Sequence, residues 1–158
     1  LFTDKSPAVV ESIAMSCGQN AKHLVVCEQH LRQLLNSNQT ELRQIAADAL
    51  AGMSEHIESP TSNNGLSNQL IDRALNDTSD DVRYNAIDAY ISSNASDAQK
   101  AQLLADVALK ESQAYIITFA LSRLNGYQQH LDAKQKQRLS SLKSHADSEV
   151  KRIANLMF

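Results

Sequence analysis

The sequence has no tryptophan, two cysteines, two prolines and four glycines among its 158 residues, and aromatic side chains make up 4% of it. Each scarcity excludes something. An all-β chain of this length turns tightly many times, and such turns are built largely from glycine and proline. Two cysteines are too few for a disulfide-framework protein. No continuous apolar run approaches the ~18–20 residues that a membrane-spanning helix needs; the longest, over residues 116–121, is broken by Thr118. Membrane insertion is therefore not expected. Positive charge is not in surplus either. A formal net charge of −3 offers no electrostatic pull toward nucleic acid or an anionic surface. The chain opens on Leu1 with no basic stretch leading into an apolar signal segment, which suggests a processed product or a piece of a longer protein.

What is present is helical in character. Leucine and alanine dominate a composition that is 42% apolar and 21% charged, while valine, isoleucine and aromatics are few. A chain of this size buries about 70% of its unfolded surface, enough for a packed core. Ser6-Pro7 reads as an N-cap followed by proline at the first helical position. Val9, Val10, Ile13, Ala14 and Cys17 then follow at helical spacing toward a cap at Gly18. A second helix is expected over residues 21–35, with Leu24, Cys27, Leu31, Leu34 and Leu35 on one face, and a third carries Leu42, Ile45, Ala46, Ala49, Leu50 and Met53. Residues 58–65 are polar, contain Pro60 and Gly65, and read as an inserted loop at about 55–65 within a single domain spanning 1–158. Further helices are expected over 66–76, around 82–90, and over 97–110, 113–124, 133–144 and 147–158, with Asn125-Gly126 ending the fourth of these. No strand is expected.

Four segments superimpose: 31–53, 70–90, 103–124 and 139–158. Each has Leu-x-x-x-Leu or its apolar equivalent, a polar turn, then in the best copies an acidic residue, Val or Leu, and a basic residue. Aligning Leu42, Val82, Gln113 and Val150 gives spacings of 40, 31 and 37 residues, a variable period suited to a solenoid of helical hairpins. The phrase Asp81-Val82-Arg83 with Ala86 and Ala89, preceded by Leu70, Ala74-Leu75 and Asp77, resembles a HEAT repeat, particularly the short bacterial kind also found in phycobilin-lyase-like proteins. Glu41-Leu42-Arg43 with Ala46 and Ala49-Leu50 is a second copy, and Glu149-Val150-Lys151 with Ala154 a third. The copy at Gln113-Ala114 keeps only the apolar spacing. The resemblance covers the chain from Ala21 onward and implies an all-α superhelix of about four hairpins plus an N-terminal helix.

The resemblance further implies that the second helix of each hairpin lines a concave surface. On those helices a ladder forms from Gln44 and Asp48, then Tyr84, Ile87 and Asp88, then Tyr115, Thr118 and Phe119, and finally Arg152. Its apolar and aromatic centre is a candidate patch for binding another protein, since aromatics are enriched at interaction hot spots. Packing against a neighbouring repeat is the competing explanation for the same residues. Arg43, Arg83 and Lys151 read as structural rungs that pair with loop acids such as Asp77 and Asp80.

Chemistry is sparse. The glycines at 18, 52, 65 and 126 are isolated, so no phosphate-cradling loop exists, and neither a Gly-x-Ser-x-Gly elbow nor a His-Glu-x-x-His helix occurs. Asp48 and Asp88 occupy equivalent repeat positions but stand a whole repeat apart, too far for a catalytic dyad. Cys17, His23, Cys27 and His30 form the most pointed constellation, because 23, 27 and 30 share one helical face. Three readings compete: a Cys₂His₂ metal site, a Cys17–Cys27 disulfide in an exported protein, or two plain thiols. The expected function is a non-catalytic scaffold or adaptor with no cofactor, binding another protein and not nucleic acid. The alternatives are an enzyme or cofactor-handling protein of the phycobilin-lyase-like group, or a metal-binding protein. The compartment is expected to be the bacterial cytoplasm, or the periplasm if the cysteines are joined.

Overall fold

Among the described residues there are nine α-helices, several of them begun by local capping signals. The computed structural model describes residues 6–17, 24–53 and 65–158, and these are all-α, without a strand among the described residues. The helices are α1 (Pro7–Cys17), α2 (Leu24–Leu35), α3 (Thr40–Gly52), α4 (Gly65–Asn76), α5 (Asp80–Ser92), α6 (Asp97–Lys110), α7 (Ala114–Leu124), α8 (Ala133–Leu139) and α9 (Ser148–Met157). The expected cap at Gly18, the helix start at Ala21, His23 and all of the inserted loop expected at about 55–65 except Gly65 lie outside the described residues, and Gly65 opens α4.

The N-termini of α5, α6, α8 and α9 are capped by side-chain oxygens that accept otherwise orphaned backbone N–H groups, whereas Gln39 gives α3 no such bond. Ser79 accepts from Val82 N–H at the head of α5, and Asp147 accepts from Glu149 and Val150 N–H at the head of α9. Ser96 with Gln99 and Asp132 with Gln135 form reciprocal capping boxes for α6 and α8. Gln113 gives α7 no such bond. Instead the Glu111 carboxylate accepts the Ser112 and Gln113 N–H groups at 2.7 and 2.9 Å.

Two expected boundaries differ. Asn125-Gly126 does not stop the chain from winding: Asn125 remains right-handed, and residues Asn125–His130 tighten into a 3-10 segment. Gly126 takes no left-handed cap, so its conformational freedom goes unused. The helix expected over 133–144 likewise ends at Leu139 and continues as a 3-10 segment, Ser140–Ser144. There the Ser140 and Ser141 hydroxyls donate to the carbonyls of Gln137 and Arg138, drawing on acceptors in the last turn of α8.

The helices group into two compact units, Leu1–Ala95 and Ser96–Phe158. In the first, α1, α3 and α5 pack side by side in one layer, while α2 and α4 form the other, so that α2/α3 and α4/α5 are successive hairpins. Their shared interior holds Leu31, Leu35, Leu50, Leu66, Leu70 and Tyr90, all nearly or wholly excluded from water. In the second unit α6 and α7 form one hairpin, and α8 with its 3-10 extension forms the next with α9. Leu104, Ile116, Ile117, Leu121, Leu124 and Leu139 fill that core. The four hairpins overlap the four superimposed sequence segments. A single hairpin does not bury its apolar stripes alone, and in unit 1 α3 packs on α1 and α5 as well as on α2.

Candidate functional site

In the two copies of the acidic-apolar-basic phrase that carry arginine, the basic residue closes the hairpin turn. Arg43 Nη1 donates to the Ser37 carbonyl at 2.9 Å, and Arg83 Nη1 donates to the Asp77 carbonyl at 2.9 Å. Both arginines therefore reach back six residues, to the same point of their own hairpin turn. Arg43 also reaches forward. Its Nε and Nη2 form a two-point pair with the Asp77 carboxylate at 2.8 and 2.9 Å, joining the α2/α3 hairpin to the turn before α5. Arg73 Nη1 (3.2 Å) and Ser79 N–H (3.0 Å) donate to the same carboxylate. Burial alone pushes the Asp77 carboxyl up, but hydrogen bonds from Arg43, Ser79 and Arg73 outweigh it and hold the group below the usual carboxylate range. The hydrogen bond that Arg43 donates to Asp77 raises the guanidinium against the opposing effect of burial. Lys151, the third member of the phrase, is exposed.

On the α1/α3/α5 layer lies a groove of about 370 Å³ lined by Glu11, Met15, Glu41, Gln44, Ile45, Asp48 and Asn85. Its floor is one stripe of α3: positions 41, 44, 45 and 48 follow the i, i+3, i+4, i+7 spacing that brings side chains to a single helical face. Glu11 and Met15, one turn apart on α1, form one wall, and Asn85 of α5 forms the other. Three carboxylates and no cation line it, while Ile45 and the 43%-exposed Met15 give it an apolar base. The charges are spread along the groove. Among the described residues no group of three or more His, Cys, Asp or Glu side chains converges on a metal position.

The groove belongs to the acidic part of the chain. Unit 1 carries twelve acidic and six basic residues and unit 2 six acidic and nine basic, so the net −3 divides into −6 and +3. A second groove of about 310 Å³ runs along the α2/α4 layer, lined by Gln29, Arg32, Gln33, Asn36 and Gln69. Much of its polarity is spoken for. Arg32 Nε donates to Gln69 at 3.4 Å, Asn36 donates to the Arg32 carbonyl at 3.2 Å, and Arg73 donates to Asn36 at 3.4 Å. Gly65 lies under this arrangement: a Cβ there would meet the Arg32 guanidinium at 2.6 Å.

The nine ladder residues divide between the units. Gln44 and Asp48 line the acidic groove. Tyr84 and Asp88 lie half-buried on α5. Ile87 is a correction: it is 0% exposed and belongs to the core, not to a solvent-facing patch. Helix α5 packs against both α3 and α4, so its buried arc takes in adjacent positions, Ala86 with Ile87 and Tyr90 with Ile91, and is wider than a single-partner wheel allows. In unit 2, Tyr115 is 47% exposed, Thr118 and Phe119 are half-buried, and the Arg123 guanidinium stacks over the Phe119 ring at 5.1 Å. Arg152 is exposed and makes a two-point pair with Glu149 of its own helix at 2.8 and 2.6 Å.

Glu11, Met15, Glu41, Ile45 and Asn85 were not legible as site residues from the sequence. The alignment of repeats begins after α1, so nothing in it placed a third helix beside α3. The one available signal was Cys17, in register with Val10 and Ala14 and facing a second cysteine. Cys17 and Cys27 are joined in a disulfide with a Cα–Cα separation of 5.8 Å. The bond takes up both sulfurs of the suggested Cys₂His₂ set and so removes two of its four ligands. Among the described residues no helix is long and apolar enough to cross a membrane. No protein-family model matches the chain, and no curated protein matches it significantly.

Proposed function

We propose that this chain is a non-catalytic interaction module of HEAT-like hairpins, whose α1/α3/α5 groove takes a cationic, partly apolar segment of another protein. The observation that carries the reading is the groove itself: one helical stripe as a floor, a neighbouring helix on each side, carboxylates along its length and apolar side chains beneath. An open groove whose carboxylates do not converge on one point suits a peptide segment better than a compact ligand. Lysine or arginine side chains of the partner would meet Glu11, Glu41 and Asp48, and an aliphatic side chain would rest on Met15 and Ile45. Exposed ion pairs contribute roughly 0.2–1 kcal/mol each, so the carboxylates set selectivity and encounter rate more than affinity. The Cys17–Cys27 disulfide favours an oxidising compartment for the module.

Fluorescence anisotropy with a short amphipathic Lys/Leu peptide and its Glu/Leu counterpart tests this reading. The cationic peptide is expected to bind saturably and to weaken with added salt. Reversing Glu41 and Asp48 to lysine is expected to reduce its affinity by roughly tenfold or more. Equal binding of the anionic peptide, or no change on charge reversal, would sink the proposal.

A further inference from the structure

We infer that the Cys17–Cys27 disulfide is a redox-operated latch that holds α1, and with it one wall of the groove, against α3. Helix α1 is unlike the others in unit 1. It has no hairpin partner among the described helices, and its buried side chains are only Val10, Ala14 and Cys17. At 11 residues it is shorter than the roughly 12–15 needed for an isolated helix to be even marginal in water. Val9 and Met15 face outward, so α1 brings little apolar surface to its docking site. The disulfide ties its last residue to Cys27 in α2, ten positions away, and a cross-link of this kind restricts the undocked states open to the segment.

Glu11 and Met15 reach the groove only because α1 is docked. Reduction by a dithiol proceeds in balance: one thiolate attacks a cysteine sulfur and forms a mixed disulfide. The second thiolate then closes the reductant's own ring, leaving two cysteine thiols and an oxidised dithiol. The sulfur-bearing residues are 3% and 8% exposed, so the attack requires local opening of the α1 end, and the latch responds slowly. Once it is open, α1 leaves, the wall is lost, and the floor of α3 remains. This inference rests on the groove reading for its consequence, but not for its mechanism.

Hydrogen exchange on the full chain, oxidised, reduced with dithiothreitol, and as the Cys17→Ser/Cys27→Ser double variant, separates the two. Thiol alkylation with mass analysis confirms the redox state of each sample. Protection of the α1 amides is expected to fall by roughly a hundredfold in the reduced and variant chains, while α3, α4 and α5 hold theirs and reoxidation restores α1. Retained α1 protection in the reduced chain overturns the latch. So does loss of protection throughout unit 1, which would make the disulfide a global staple, and so does a chain whose thiols stay free under oxidising conditions. Lys/Leu peptide binding in the same samples reports on the groove. If α1 undocks and binding is unchanged, the latch stands and the groove reading fails.

Discussion

The two units are built from the same repeat but close it by different chemistry. In unit 1 the turns are joined by a polar ladder inside the protein: the Arg43 and Asp77 side chains are 8% and 0% exposed, and Arg43 and Arg83 both grip turn carbonyls. In unit 2 the same points are closed locally and near the surface. Glu111 accepts the N–H groups ahead of α7, Asp132 and Asp147 cap α8 and α9, and Arg152 pairs with Glu149 on its own helix. The comparison teaches that an apolar period is enough to make a hairpin, while in unit 1 the Arg43–Asp77 pair also locks one hairpin to the next through the interior. It also separates the surfaces, an acidic groove in unit 1 and a Tyr115–Phe119–Arg123 stripe at i, i+4, i+8 in unit 2.

The largest expected effect comes from breaking the ladder. Asp77→Ala leaves the Arg43 charge buried without its partner and should cost unit 1 about 3–5 kcal/mol, with unit 2 little changed. Urea unfolding read by hydrogen exchange in each unit measures it, and an equal loss in both units would refute the contrast. The pH dependence has a definite sign. Because Asp77 titrates lower in the folded protein than in the unfolded chain, its contribution is complete above the unfolded value of about 3.9 and is lost as pH falls through the folded one. Unit 1 should therefore fail first in acid. Glu149, the lowered carboxylate of unit 2, is held down by its bond to Arg152, and that pair is exposed and screened by solvent.

A second comparison uses repeat-equivalent positions. Ile87→Ala removes a fully buried side chain and should cost about 2–5 kcal/mol, whereas Thr118→Ala, at the matching place on α7, should cost less than about 1 kcal/mol. Similar costs measured by thermal unfolding would mean the two positions are equally enclosed. The smallest effect tests the caps. Ser79→Ala in unit 1 and Asp132→Ala in unit 2 should each cost about 1 kcal/mol. Matching values would assign the difference between the units to the ladder alone, and a much larger loss at Asp132 would show that α8 depends on its cap more than on burial of Leu139.

Much of the fold was legible because helices are local. Capping residues and apolar spacing act within a few positions, and the expected span 97–110 matches α6 end to end. The two 3-10 segments were missed because Asn125-Gly126 and Ser140-Ser141 permit both a stop and a tightened continuation, and the burial of Leu131 and Leu142 sits with the continuation. The ladder residues were harder. The position five beyond each alignment point is fully buried at Ala47 and Ile87, half-buried at Thr118 and exposed at Asn155. A helical wheel gives all four the same angle. What differs is the set of elements around each one: α3 touches α1, α2 and α5, α5 touches α3 and α4, and α9 touches α7 and the Ser140–Ser144 segment.

By itself, then, the amino-acid order determined the helices, their pairing into hairpins and the role of Arg43 as a rung to Asp77, since each follows from spacing, capping and charge along a short stretch of chain. Only the tertiary structure decided that α1 lies beside α3, that Cys17 meets Cys27, and that Glu11 and Met15 complete a groove whose floor the repeat had already supplied. The physical reason is range. Helix formation is settled by neighbours one turn away, but a groove exists only where side chains from separate helices converge, and that depends on how the layers pack.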